Sequence, residues 1–237
     1  MHQSTTNPEK KFGSIYAQRR YDEERAKDSN TKQRIFCLRH GQTALDDLHR
    51  SDGWLDLPLN DDGRKNVVVA LAEHLKDVPI TTIYSSPLKR TEETAHIVES
   101  GLPSKPKVKT SPKLKTWNLG SLAGDPKKPN KAVVVDLIKH PTRKAPDGES
   151  YEEFTERFDT FIKKLEKESK HSGPFLVILS GSNCRRISEL LFKDRTVLDI
   201  DEAGLFCMHL DKDGEWTADL IEGGRSPEDI EKNPEAS

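Results

Sequence analysis

The segment Ile35-Phe36-Cys37-Leu38-Arg39-His40-Gly41 decides the fold, because an apolar run of strand length ends there on three residues of distinct chemistry. A short apolar run of this kind is typical of a buried β-strand. Arg39 offers a planar fork of donors suited to phosphate oxygens, and His40 offers a ring nitrogen that is partly neutral near physiological pH. Gly41 lets another group approach the backbone closely. We interpret the segment as a strand that carries a phosphohistidine site at its carboxyl end.

The segments that follow alternate between strand and helix patterns. This order predicts an α/β fold, with a mostly parallel central sheet flanked by helices on both faces and a C-terminal hairpin. The predicted strands cover residues 34–38, 81–84, 175–179, 205–210 and 216–221, with an edge strand at 107–110, and the predicted helices cover residues 62–76, 88–100, 150–170 and 184–193.

Three loops follow the carboxyl ends of predicted strands, at residues 39–46, 85–90 and 180–186. Ligands of open parallel sheets bind in the crevice outside these strand ends, so we expect the three loops to converge on one site. Residues 111–149 are rich in Pro, Lys and Asp. We interpret them as a lid-like insertion over that crevice, with one short helix near 131–139.

The composition limits the classes of function. The 237 residues carry a net charge of −2, which leaves no electrostatic footprint for nucleic acid or an anionic membrane, so we expect neither as a partner. Residues 1–32 and 223–237 are polar, and we interpret them as an N-terminal extension and a flexible tail around one domain at 33–222. The three cysteines form no close pair, which argues against a zinc motif and predicts free thiols and a cytoplasmic location.

A second segment supports the phosphate interpretation. Ser85-Ser86-Pro87-Leu88-Lys89-Arg90 follows a predicted strand and places Arg90 in the first turn of the next helix, where backbone amides also favour an anion. Each segment has an ordinary alternative. His40 can be a strand-end histidine satisfied by a backbone carbonyl, and Arg90 can lie on the surface of a capped helix. The pair, in this order and about fifty residues apart, is far more specific than either segment alone.

A wider set of residues extends this pair: Arg39-His40-Gly41, Thr43, Gly53-Trp54-Leu55-Asp56, Pro58-Leu59, Gly63, Ser85-Ser86-Pro87-Leu88, Arg90-Thr91, Glu93-Thr94-Ala95, Trp117, Leu119-Gly120, Gly124, Gly148-Glu149-Ser150, Phe154 and Arg157. Over about residues 33–222 the chain resembles the histidine phosphatase superfamily, whose cofactor-dependent phosphoglycerate mutases are the best-known branch. The resemblance implies a phosphoglycerate mutase-like fold. It also implies a site without a metal or an organic cofactor, apart from the bisphosphate primer of the mutases.

The resemblance implies a role for each matching position. His40 is expected to be the nucleophile that becomes phosphorylated. Arg39 and Arg90 are expected to clamp the phosphoryl group, and Thr43 is expected to help position the nucleophile loop. Further candidates for substrate binding are Gln42, Asp46, Glu149, Ser182 and Asn183.

Three positions depart from the family pattern. The second catalytic histidine of the family follows the strand at 175–179, where this chain has Gly181, and His171 precedes that strand and cannot reach the same point. Thr116 aligns with a Glu that serves many members as proton donor, and a hydroxyl cannot protonate a leaving group at neutral pH. Asp46 aligns with an Asn that touches phosphate in the mutases, and a carboxylate there repels a dianion unless it is protonated or turned away.

The loss of one preorganised donor costs on the order of 10²–10³ in rate, so compensation for Gly181 matters. Two routes are open: the backbone amides of residues 181–184, which open a helix, or an inward turn of Arg185 or Arg186. Asp147 or Glu149 is a conceivable substitute acid, although Glu149 is expected more often to support the arginines.

Two functions follow. The first is a phosphomonoesterase that acts through phospho-His40 on a small phosphorylated substrate or a phosphoprotein, with reduced activity. The second is a module that has lost catalysis and still binds a phosphorylated ligand or partner. We favour the enzyme, and we disfavour a true mutase because it needs the full set of donors. The lysines of residues 111–149 are candidates for attracting a second anionic group, and an ordinary soluble loop is the equal alternative.

Overall fold

A six-stranded mixed sheet forms the centre of the computed structural model, which describes residues 33–192 and 199–225. Its strands are β1 (Ile35–Arg39), β2 (Thr82–Ser85), β3 (Lys107–Thr110), β4 (Phe175–Leu179), β5 (Asp199–Leu210) and β6 (Trp216–Arg225). They lie in the order β3-β2-β4-β1-β5-β6. β1 to β4 pair in parallel, and β5 and β6 form an antiparallel hairpin beside β1. The predicted α/β fold, with its mostly parallel sheet, edge strand and C-terminal hairpin, is confirmed.

Six α-helices are present in the described residues: α1 (Ala44–Asp47), α2 (Asp61–Ala70), α3 (Lys89–Gly101), α4 (Lys127–Lys139), α5 (Tyr151–Ser169) and α6 (Gly181–Leu191). A π-helical turn at Leu71–Leu75 continues α2, and short 3-10 helices lie at Pro112–Leu114 and Gly120–Leu122. The longest helix begins at a capping box, in which Ser150 and Glu153 satisfy each other's backbone amides.

Both faces of the sheet are covered by apolar layers. Successive side chains of a strand point to opposite faces, so Ile35 and Cys37 join one buried cluster while Phe36 and Leu38 join the other. Helices α4, α5 and α6 contribute to the first cluster, and helices α2 and α3 contribute to the second. Each fully buried Leu, Ile or Phe stabilises the fold by roughly 1.5–3 kcal/mol.

The position of β4 between β1 and β2 brings the three predicted loops together. Arg39 of β1 is in register with Leu179 of β4, and the backbone amide of His40 donates to the Leu179 carbonyl at 2.9 Å. The loops after β1, β2 and β4 therefore leave the same edge of the sheet side by side. The expected crevice lies at this edge.

Several boundaries differ from the sequence predictions. β6 runs to Arg225, so residues 223–225 belong to a strand and not to the expected tail. α6 begins at Gly181, directly after β4, and not at residue 184. Three predicted features lie outside the described residues. They are the extension at 1–32, the tail from residue 226, and the end of the last predicted helix at residue 193. Within the described residues, no helix is long and apolar enough to cross a membrane.

The segment 111–149 is more firmly attached to the domain than a simple lid. Leu114, Trp117 and Leu137 are buried in the core cluster beneath α5, so they anchor the segment. Its helix α4 spans 127–139 and is longer than the predicted one. The segment also pairs with the loop after β1, where the Ser51 amide donates to the Asp125 carbonyl at 2.9 Å.

Candidate active site

His40 is buried directly after β1, with its ring held in one orientation. Ring atom Nδ1 lies 2.8 Å from the Gly41 carbonyl oxygen. Burial, followed by the charges of Arg90 and Arg39, lowers the pKa of His40 to about 3. The ring is therefore neutral near pH 7, so Nδ1–H donates to the carbonyl and Nε2 keeps its lone pair. The hydrogen bond to a backbone carbonyl, which the ordinary alternative for His40 predicts, is present. It leaves Nε2 with a free lone pair, as a nucleophile requires.

Gly41 is required by packing against α2. A Cβ atom at Gly41 would lie 2.5 Å from the Gly63 carbonyl oxygen, which no side chain tolerates. The backbone amide of Gly41 donates to the Thr94 hydroxyl at 3.3 Å. The group that approaches the Gly41 backbone closely is therefore the backbone of Gly63 in α2.

Thr43 and Asp46 fix the start of the loop that carries His40. Thr43 caps α1, and its backbone amide and hydroxyl both donate to Asp46 Oδ2 at 3.1 Å. The other carboxylate oxygen of Asp46 accepts from Lys127 Nζ at 3.1 Å. Burial pushes the pKa of Asp46 upward, but interactions with His40 and Lys127 outweigh it and lower the pKa below its usual value. Asp46 is thus an ionised capping residue with its own counter-ion.

Arg39 lies beside Gly181, and its guanidinium already has protein partners. Its Nη1 donates to the Ile200 carbonyl at 2.5 Å, and its Nη2 pairs with the Glu202 carboxylate. A Cβ atom at Gly181 would lie 3.7 Å from the Arg39 guanidinium, so the arginine borders the space into which a side chain at position 181 would extend. Arg39 Nε is buried and has no hydrogen-bond partner among the described residues.

Arg90 is fully buried on the first turn of α3 and supports the loop that faces His40. Its Nη1 donates to the Leu55 carbonyl at 2.9 Å, and its Nη2 donates to the Gly53 carbonyl at 2.7 Å. Gly53 has φ of +50°, a conformation that glycine adopts without strain. Both predicted clamp arginines are near His40, as their effect on its pKa shows. Most of their donors are nevertheless directed at protein acceptors.

Gly181 occupies the first position of α6, where the backbone conformation does not require glycine. Its φ lies outside the left-handed region, and an added Cβ would make only ordinary contacts. Nearby, Ser182 is half-buried, and the buried Asn183 accepts from the Ser180 amide through Oδ1 at 3.0 Å. Asn183 Nδ2 has no hydrogen-bond partner among the described residues.

The proposed inward turn of an arginine on α6 is wrong. Arg185 Nε donates to Glu189 at 3.2 Å, and Arg186 donates to Asp159 of α5 at 2.9 and 2.6 Å. These ion pairs commit both guanidinium groups to carboxylates of the protein. Of the predicted amides of residues 181–184, those of Asn183 and Cys184 donate to the Ser180 carbonyl at 2.9 and 3.1 Å, which leaves the amides of Gly181 and Ser182 as candidates for an anion.

Thr116 and Glu149 do not supply a free carboxyl group to the site. The Thr116 carbonyl accepts from Trp54 Nε1 and from Arg157, both at 2.8 Å. Glu149 accepts from Arg157 Nε at 3.1 Å and from the Asn118 amide at 2.8 Å. Glu149 is therefore committed to holding the 111–149 segment and not to Arg39 or Arg90. Gln42, the remaining candidate, is half-buried beside the nucleophile and shares the backbone contact with α2.

Two acidic residues of the site were not found from the sequence. Asp52 Oδ2 lies 4.0 Å from His40 Nε2 and 3.6 Å from Arg90 Nε. Its position directly before the matching stretch that starts at Gly53 is the signal that could have identified it. Glu202, the partner of Arg39, stands 163 residues away on the hairpin, and nothing in the sequence indicates it.

No group of three His, Cys, Asp or Glu side chains suited to a metal ion occurs in residues 33–192 and 199–225. Cys37, Cys184 and Cys207 are free and buried, and burial raises the pKa of each thiol. These thiols are therefore unsuited to act as nucleophiles.

The sheet order, the histidine after β1 and the two arginines beside it define a protein of the phosphoglycerate mutase-like fold class. The chain belongs to the histidine phosphatase superfamily (branch 1), whose family model matches residues 35–221.

Several relatives are named for phosphate chemistry. The phosphoglycerate mutase-like protein 4 of Arabidopsis thaliana is 28% identical over 152 residues, which cover 62% of this chain and 65% of that relative. A metal-independent phosphoserine phosphatase of the same plant is 28% identical over 193 residues, which cover 78% of this chain and 79% of the relative. Among solved structures, the phosphoglycerate mutase from Bacillus anthracis str. Sterne has a TM-score of 0.66 at 26% identity, over 85% of this chain and 96% of that one.

Proposed function

We propose that the protein is a phosphomonoesterase that acts through a phosphohistidine at His40. The observation that carries the proposal is the state of the imidazole: it is buried, neutral and bound at Nδ1 to the Gly41 carbonyl, with Nε2 unprotonated. In the first step Nε2 attacks phosphorus and the alcohol leaves. In the second step water attacks phosphorus and releases phosphate and neutral His40.

The arginines supply the charge that phosphoryl transfer requires. The equatorial oxygens of the transferred group develop negative charge, which we expect Arg39 and the amides of Gly181 and Ser182 to stabilise. Gly181 contributes no side-chain donor, so the activity is expected to be lower than that of a relative with both histidines by on the order of 10²–10³.

The substrate class follows from the family and from the charge of the chain. We propose a small phosphorylated substrate or a phosphoprotein, in keeping with relatives that are named as a phosphoserine phosphatase and as phosphoglycerate mutase-like. Neither nucleic acid nor a membrane is proposed as a partner, because the net charge is −2. The three free thiols support the proposal of a cytoplasmic location.

The test is hydrolysis of an aryl phosphate by the wild type and by His40→Ala. The variant should lose at least about 10³-fold in kcat/KM, since it lacks the nucleophile. His171→Ala is the matched control, because His171 is exposed before β4 and should not change the rate. Equal rates for wild type and His40→Ala would refute the enzyme proposal.

A binding module is the second candidate, and one observation favours it. Position 181 carries no side-chain donor while the Arg39 guanidinium stays beside it, so the site keeps a cation for an anion and lacks a group expected for turnover. This alternative predicts that the wild type binds phosphate in calorimetry without His40-dependent turnover, and that Arg39→Ala abolishes the binding. A wild type that binds neither phosphate nor vanadate would remove its basis.

A further inference from the structure

The loop between α1 and α2 places a carboxyl group against the nucleophile. Asp52 Oδ2 lies 4.0 Å from His40 Nε2, the atom that attacks phosphorus in the proposed function. Its other oxygen, Oδ1, lies 3.0 Å from the Thr43 hydroxyl oxygen, and the side chain is only 9% exposed. In an in-line displacement the leaving oxygen lies across phosphorus from the attacking atom, so the role of Asp52 requires its carboxyl group to flank the phosphorus and reach the far side.

The other acidic candidates near the site have different commitments. Glu149 is bound to Arg157 and to the Asn118 amide. Asp46 is held by Thr43 and Lys127. Asp147, although not so committed, is exposed on the 111–149 segment. None of these three carboxyl groups combines burial with contact to the attacking nitrogen.

We propose that Asp52 is the general acid and base of the hydrolysis, in place of the carboxyl group that Thr116 cannot provide. The inference rests on the proposed function. In the first step the Nε2 lone pair forms the N–P bond, the P–O bond to the leaving group breaks, and the Asp52 proton passes to the leaving oxygen. In the second step the Asp52 carboxylate takes a proton from water as the oxygen of that water bonds to phosphorus and the N–P bond breaks.

The surroundings of Asp52 suit a group that must hold a proton before it gives it away. Burial raises the pKa of Asp52, Arg90 opposes this effect, and the neighbouring Asp46 adds to it. The charged and titratable groups that face it are His40, Asp46, Arg90 and Lys127. A raised pKa favours the protonated form, which repels an incoming phosphate less than an ionised carboxylate does.

The test compares two esters with Asp52→Asn, a change that keeps the shape of the side chain and an acceptor for Thr43. An alkyl phosphate has a poor leaving group that needs the proton, so its kcat/KM should fall by on the order of 10²–10⁴. An aryl phosphate with a good leaving group needs little protonation, so its first step should be almost unchanged. The second step should then be slow, and rapid-quench measurements should show a burst of phenol with accumulated phospho-His40.

The control is Asp61→Asn at the start of α2, since Asp61 is exposed and pairs with Arg64 on the same helix. This variant should hydrolyse both esters like the wild type. Equal losses with the two esters and no phosphohistidine accumulation would overturn the role of Asp52 while leaving the enzyme proposal intact. Absence of His40-dependent turnover in the wild type would instead refute the proposed function, and the role of Asp52 with it.

Discussion

The ends of β1 and β4 are neighbours in the sheet and differ sharply in what they carry. β1 ends on a histidine that is buried, oriented and neutral. β4 ends on Ser180 and Gly181, with the Arg39 guanidinium against the glycine. The backbone leads to the two strand ends in the same way, because β1 and β4 pair in parallel register up to Arg39 and Leu179.

The comparison separates a glycine that backbone packing requires from one that it does not require. Gly41, on the β1 side, is needed by close packing against Gly63. Gly181, on the β4 side, has an ordinary φ and room for a Cβ, so no packing requirement explains it. Glycine at this position is therefore not a requirement of the fold, and its effect is expected in rate and not in stability.

The largest expected effect comes from returning an imidazole to the β4 side. Gly181→His should raise kcat/KM for an aryl phosphate by on the order of 10²–10³, since it restores one preorganised donor to the phosphoryl oxygens. The rate should be measured against Gly181→Ala, which adds a Cβ but no donor and should gain nothing.

If Gly181→His stays at the level of the wild type while its thermal unfolding is unchanged, then the difference between the two strand ends is not what limits the rate. The rate would then be limited by Arg39, whose guanidinium pairs with Glu202.

The second-largest expected effect is a dependence of the free energy of unfolding on pH, which arises from His40 after β1. The pKa of His40 is about 3 in the folded protein against an ordinary value of 6.5, so the unfolded chain binds one more proton between these values. As the pH falls from 6.5 to about 3, the free energy of unfolding should therefore decrease through this residue by about 1.4 kcal/mol for each pH unit, and it should not change through it above 6.5.

Urea unfolding between pH 7 and pH 5 measures this dependence. His40→Ala should show a slope that is shallower by one proton, whereas His171→Ala should keep the slope of the wild type. Identical slopes for wild type and His40→Ala would show that the histidine does not remain neutral in the folded protein.

The smallest expected effect concerns the contact that joins the two sides. Glu202→Gln removes the carboxylate that competes with phosphate for Arg39, and it should tighten phosphate binding by about two- to fivefold, as expected for a partly exposed ion pair. Calorimetric titration with inorganic phosphate measures the change.

Glu189→Gln is the control for that titration, because it weakens ion pairs of Arg185 and Arg186 on α6 away from the crevice. Tighter phosphate binding in both variants would indicate a general effect of net charge and not release of Arg39.

Much of the fold was predictable because the pattern is local. The apolar run before Arg39, the turn before α3 and the capping box at Ser150 specify their elements within a few residues, and the structure contains each of them. Boundaries were less predictable where long-range pairing extends an element. β6 continues through Gly223 and Gly224 because β5 offers it a partner, and no local pattern announces this.

The sequence by itself determined the α/β order, the family, and the presence of His40, Arg39 and Arg90 together with the absence of a histidine at 181. These depend on residue type and on order along the chain. Only the tertiary structure decided the partners: Glu202 for Arg39, the carbonyls of residues 53 and 55 for Arg90, and Asp52 for His40. The physical reason is that charge and hydrogen-bond neutralisation depend on distances of a few ångströms between segments up to 163 residues apart, which spacing in the sequence does not encode.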